Sequence, residues 1–169
     1  MKRKNTSRSI LFLTRASIIA ALYAALTYLV FPVASGVIQF RISEALCILP
    51  LFLPEAIPGL FVGCIIANIF PSLSVADMIF GSLATLIGAV GAYLLRNLPV
   101  KWRWVCTLPT VFANAIIVPL VLRYAYGSPD SYWFMFLTVG IGEVVCASIG
   151  GSLLYYTLRR MPMFADKGI

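Results

Sequence analysis

Hydrophobic and polar positions do not alternate along this chain. Apolar residues come in long blocks, separated by short clusters of charge, proline and glycine. The first block runs from Ile10 to Val33 and closes on FPVASG. A second, ISEALCILPLFL, is short and carries Pro50. Four more follow: PEAIPGLFVGCIIANIF, SLSVADMIFGSLATLIGAVGAYLL, WVCTLPTVFANAIIVPLVL and SYWFMFLTVGIGEVVCASIGGSLLYYTL. A helix needs about 20 consecutive apolar residues to cross a bilayer, and helices satisfy their own backbone groups there. The pattern therefore predicts an all-α integral membrane protein, a compact bundle of about six transmembrane helices. The second and third are the ones that Pro50, Pro54 and Pro58 break up. The membrane domain spans residues 10–158, between a basic N-terminal segment, 1–9, and a C-terminal tail, 159–169.

Composition agrees with the blocks. Hydrophobic residues make up 61% of the chain and charged ones 11%, against about a quarter charged in a soluble domain. The net charge of +7 raises the question of a nucleic-acid partner, and its placement answers it. Lys2, Arg3, Lys4 and Arg8 precede the first block, Arg96, Lys101 and Arg103 share one connection, and Arg159, Arg160 and Lys167 follow the last. With six crossings all three groups fall on one side, as the cationic excess of cytoplasmic segments does. Both termini are thus expected in the cytoplasm, and no nucleic acid is expected as a partner. Trp102 and Trp104 would then mark the inner interface, and Tyr124, Tyr126, Tyr132 and Trp133 the outer one. A basic start followed by an apolar stretch also resembles a signal peptide. Arg15 interrupts that stretch, so it is read as a retained first span.

Cys47, Cys64, Cys106 and Cys146 show neither pairing nor metal-ligand spacing and are expected to be small buried hydrophobes. The sequence contains no histidine, the commonest metal ligand and general base. No metal, cofactor or catalytic residue is expected.

Few polar residues interrupt the blocks, and in the expected orientation they gather in the outer half as a cup opening outward. Gln39, Arg41, Glu44, Asn68 and Asp77 lie near the outer face, and Asn114 and Glu143 lie deeper. Each has a bland reading beside the functional one. Arg41 and Glu44, a helical turn apart, form either a local ion pair or the wall of a ligand cavity. Asp77 is either a capping partner of Ser74 or a ligand contact. Asn68 and Asn114 either bond across helices or face a substrate, and Gln39 is either only a loop residue or a ligand contact. Glu143 lies about 18 Å along a continuous apolar helix. It must find a partner such as Arg41, stay protonated, or meet a cationic or donor-rich ligand. Three acids against one arginine disfavour an anionic ligand.

Ala16, Ala20 and Ala24 repeat every four residues in the first block, with Ala21 and Ala25 beside them. Such a stripe admits a second helix at close range, either inside the chain or on a separate subunit. Gly59, Gly63 and Ala67, and Ala84, Gly88 and Ala92, read as internal packing. No G-x-x-x-x-G-K-[ST] phosphate loop is present, and no internal repeat of the secondary-transporter kind. A bundle with a polar cup and no engine must borrow its energy.

The segments FRISEALCILPLFLPEAIPGLFVGCIIANIF and DMIFGSLATLIGA resemble the QueT family of queuosine-precursor transporters, substrate-binding S components of energy-coupling-factor (ECF) importers. The likeness runs from the first helix to the sixth. It implies a protein of the bacterial cell membrane that captures a 7-deazaguanine, such as 7-aminomethyl-7-deazaguanine, from outside. It further implies docking through the alanine face of helix one onto an ECF transmembrane subunit, with two cytoplasmic ATPase subunits driving reorientation. The residues suit that ligand: a carboxylate of Glu44 or Glu143 for the adjacent N–H donors, and Arg41, Asn68, Asn114 or Gln39 for the carbonyl. Asp77 would meet the amine, and Phe40 or Trp133 would stack on the ring. Competing readings are an S component for riboflavin or thiamin, an intramembrane enzyme using Glu143 and Asp77, and a proton-coupled transporter using Glu143.

Overall fold

The computed structural model of the chain describes residues 2–30, 40–72 and 75–165, with side chains placed for 7–30, 40–69 and 75–164. The described residues are helical nearly throughout, with no strand. α1 is Lys2–Leu29, α2 is Ile42–Leu51 and α3 is Ala56–Ser72. α4 is Asp77–Leu94, α5 is Val100–Tyr124 and α6 is Tyr132–Arg159. One further turn, α7, covers Pro162–Ala165.

Four of these helices, α1, α4, α5 and α6, are long and apolar enough to cross a membrane, whereas α2 and α3 are shorter apolar helices. Their outer faces carry large hydrophobes such as Ile18, Leu22, Leu83, Ile87, Phe112 and Leu153, all exposed. A soluble monomer rarely leaves so much apolar surface uncovered. Here hydrocarbon is the surrounding solvent.

α2 is the exception that organises the rest. Every residue from Ser43 to Leu51 is buried except half-buried Ala45. The segment is wound as a 3₁₀ helix with Pro50 inside it. Backbone with imperfect helical bonding is tolerated at membrane depth only where protein encloses it. The enclosure has two parts. Leu46 and Leu49 pack with Ile19, Tyr23, Leu60 and Cys64 of α1 and α3, while Ile48 and Leu51 pack with Ala92, Cys106 and Tyr155 of α4, α5 and α6.

Small residues set the close crossings. A Cβ on Gly63 would lie 2.8 Å from the Ala20 carbonyl oxygen and 2.9 Å from its Cα. A Cβ on Gly88 would lie 2.8 Å from the Cα of Thr110. The first contact corrects one expectation. Ala20 and Ala24 are buried, and half-buried Ala16 packs so closely on α3 that a Cβ on Gly59 would lie 2.7 Å from its carbonyl oxygen. The Ala16, Ala20 and Ala24 stripe is therefore consumed inside the chain. Ser17, Ala21 and Ala25 form the small-residue line that faces outward from α1.

At the Arg8 end of the bundle, Arg15 of α1 and Glu55, just before α3, form an ion pair at 3.1 Å. Its half-exposed position gives it a modest role, about 0–1 kcal/mol.

Candidate functional site

Of the polar side chains that interrupt the apolar helices, Glu44, Asn68, Asn114 and Glu143 are buried, whereas Arg41 and Asp77 are half-buried. Glu44, fixed on the enclosed α2, is 0% exposed. Its Oε1 accepts a short hydrogen bond from the Tyr23 hydroxyl of α1, with the Thr85 hydroxyl of α4 at 3.2 Å. Its Oε2 accepts from the Cys47 thiol at 3.1 Å. One carboxylate thus joins α1, α2 and α4. A buried charge is tolerable only with partners of this kind.

Arg41 stands where the chain enters α2. Its guanidinium donates to Asn68 Oδ1 at 2.6 Å, and Asn68 Nδ2 donates to the Asp77 carbonyl oxygen at 3.1 Å. Asn68 therefore ties the start of α2 to the start of α4. The carboxylate of Asp77 accepts from the Tyr126 hydroxyl at 2.7 Å, linking α4 to the segment after α5. Arg41 and Glu44 make no ion pair with each other, so the local-pair reading gives way to two divergent sets of contacts. The guanidinium still interacts through space with Glu44 and Asp77.

Asn114 of α5 and Glu143 of α6 lie deeper, with 0% and 2% exposure. Glu143 faces Asn114 and interacts electrostatically with Glu44 and Arg41. Yet neither polar atom of the Asn114 amide closes a hydrogen bond of good geometry, and Glu143 Oε2 also lacks one. The Glu143–Arg41 ion pair, the bland alternative for this carboxylate, does not form, although the two groups interact through space. Glu44 and Glu143 are both buried and near enough to interact electrostatically.

Two helices distort where these acids sit. α4 opens with a π-helical turn, Asp77–Gly81, and α6 changes from α-helix to π-helix at Val144, immediately after Glu143. Such turns cost backbone energy and recur at functional sites.

A family model of the QueT transporter matches residues 13–160, which include every side chain of this cluster. The chain belongs to the QueT transporter family. Among relatives of the family, the queuosine precursor transporter QueT of Lactococcus lactis subsp. cremoris (strain MG1363) is 27% identical over 147 residues, or 82% of this chain and 86% of that protein. No solved structure matches the chain. Membership in QueT makes the protein a multi-pass transporter of the cell membrane and not an enzyme.

Within this QueT bundle, Asn68 links half-buried Arg41 to the backbone of half-buried Asp77, while Glu44, Asn114 and Glu143 are buried and Glu143 interacts electrostatically with Glu44 and Arg41; Trp133 joins neither group. Trp133 is 70% exposed and packs on the rings of Tyr132 and Phe136. That is how an indole at a lipid–water boundary sits. Gln39 and Ser74 lie outside the described residues. Tyr23, Cys47, Thr85, Thr110 and Tyr126 were not singled out as site residues. A threonine in an apolar helix ordinarily bonds its own backbone, so nothing in the spelling of Thr85 separates it from Thr27, which does so at 2.9 Å. Tyr23 carried the better signal, as the one phenol inside the alanine stripe.

Proposed function

We propose that this QueT transporter is the substrate-binding S component of an ECF importer and takes up a queuosine precursor, a 7-deazaguanine base. The polar side chains carry the reading: Glu44, Glu143, Asn68 and Asn114 are buried inside an apolar bundle, with half-buried Arg41 and Asp77 joined to them through Asn68 and through electrostatic contact. A donor-rich flat base matches such a lining, and an anion does not. The relative's name as a queuosine precursor transporter supports the same class of cargo. The missing phosphate-binding loop supports an external engine, a transmembrane subunit with two ATPases. Docking on that subunit would use the outward line of α1, Ser17, Ala21 and Ala25.

The test is equilibrium binding by the purified chain of the aminomethyl, nitrile and fully elaborated deazaguanines, with riboflavin and thiamin alongside. Selective binding of a deazaguanine is expected. Preference for riboflavin or thiamin would reassign the cargo. Uptake in cells should require co-expressed ATPases; uptake driven by a pH gradient without them would favour the proton-coupled alternative through Glu143.

A further inference from the structure

The interior network is divided in a way that assigns its parts. Both oxygens of Glu44 are already engaged, Oε1 by Tyr23 and Thr85 and Oε2 by Cys47. The opposite wall is not. Thr110, whose hydroxyl packs beside Gly88 of α4, and Asn114 lie one turn apart on α5 and so project to the same side, with Glu143 on α6 facing Asn114. All three are at least 98% buried. None of the Thr110 hydroxyl, the two polar atoms of the Asn114 amide and Glu143 Oε2 closes a hydrogen bond of good geometry, although Asn114 faces Glu143 and Thr110 lies beside Cys47. Cys47 lies between the two walls, close to both Thr110 and Glu143.

Native interiors leave few such atoms unpaired. Four of them on three neighbouring side chains point to a molecule that completes the set. Their chemistry describes it. The carboxylate accepts from two adjacent N–H groups, the Asn114 amide supplies a donor for a carbonyl oxygen, and the Thr110 hydroxyl gives or takes one more bond. A 2-amino-4-oxopyrimidine ring presents that sequence of groups along one edge. The edge of an isoalloxazine does not, because its single N–H stands between two carbonyls.

Resting on the functional reading above, we infer that Glu143, Asn114 and Thr110 are the edge-reading subsite for a 2-amino-4-oxopyrimidine base, and that Glu44 is a positioning residue held by the protein. Glu44 is held in place by Tyr23, Thr85 and Cys47 and leaves discrimination to the other wall.

The experiment compares binding of 7-deazaguanine and 7-deazahypoxanthine, which lacks the 2-amino group, to the purified full chain. Wild-type protein is expected to prefer 7-deazaguanine by at least about tenfold, roughly the effect of one lost hydrogen bond. Glu143→Gln replaces an acceptor by a donor and brings the ratio close to one. Glu44→Gln lowers both affinities together and keeps the ratio. Thr110→Val retains shape, removes an unpaired hydroxyl, and weakens 7-deazaguanine binding several-fold without lowering the ligand-free Tm. A ratio that survives Glu143→Gln, or collapses in Glu44→Gln, overturns the assignment. So does Thr110→Val protein that binds as wild type. Wild-type protein that binds both bases equally sinks the edge assignment alone, while wild-type protein that binds neither takes the functional reading down with it.

Discussion

The phenol of Tyr23 on α1 donates its hydrogen bond to the carboxylate of Glu44 on α2, deep inside the bundle. The contact turns α1 from a packing wall into a support for the polar network, since the same helix face that buries Ile19 and Ala24 carries the donor. Tyr23→Phe would keep the ring and strip a buried carboxylate of one partner. The expected cost is about 1.5–3 kcal/mol, in the range for hydrogen bonds to charged groups. A fall in the Tm of the ligand-free protein in detergent would register it, and an unchanged Tm would show that Thr85 and Cys47 suffice.

Asn68 joins Arg41 to the Asp77 backbone across two helices. Asn68→Ala is expected to free the guanidinium and weaken capture of the deazaguanine about tenfold or more, given a charge-assisted bond lost from a buried network. Binding isotherms of the folded variant would measure this, and affinity equal to wild type would remove Asn68 from the site.

The two small-residue lines of α1 should separate cleanly. Ala20→Leu drives a large side chain into Gly63 and is expected to destabilise the chain by about 1–3 kcal/mol or more, with binding lost alongside folding. Ala21→Leu faces outward and should leave Tm and ligand binding unchanged while reducing ATPase-dependent uptake. Normal uptake by that variant would relocate the docking face.

Removing the Arg15–Glu55 ion pair by Glu55→Gln should shift stability by no more than about 1 kcal/mol, because the pair is partly exposed and screened. Ligand affinity is expected to stay at the wild-type value. A large loss of affinity would show that the far end of the bundle communicates with the network.

The helical blocks were legible because hydrocarbon tolerates almost nothing else, so apolar length alone marked out α1, α4, α5 and α6. The prolines of the second block signalled a short, irregular helix, and α2 is one. Arg41, Glu44, Asn68, Asp77, Asn114 and Glu143 stood out for the same reason, as polar residues in an apolar setting. Direction along a helix was harder to read. Ala20 and Ala21 are neighbours in sequence but face opposite surroundings, and repeated alanines on both faces leave the sequence no sign of which line meets α3. Nor could spacing anticipate the π-helical turns at Asp77 and after Glu143, where each extra residue per turn rotates later side chains away from an ideal α-helical register. The engaged state of Glu44 depends on Tyr23 and Thr85, which come from distant positions and whose residue types are unremarkable on a bundle helix.

α2 is too short to traverse hydrocarbon, holds a proline, and presents almost no surface outside the protein. A newly made chain gains little by leaving such a segment alone in lipid, where its loosely bonded backbone would stand uncovered. Its resting place exists only once the four long helices and α3 have closed around it. Because Glu44 sits on that enclosed segment, its placement depends on the fit of every helix around it.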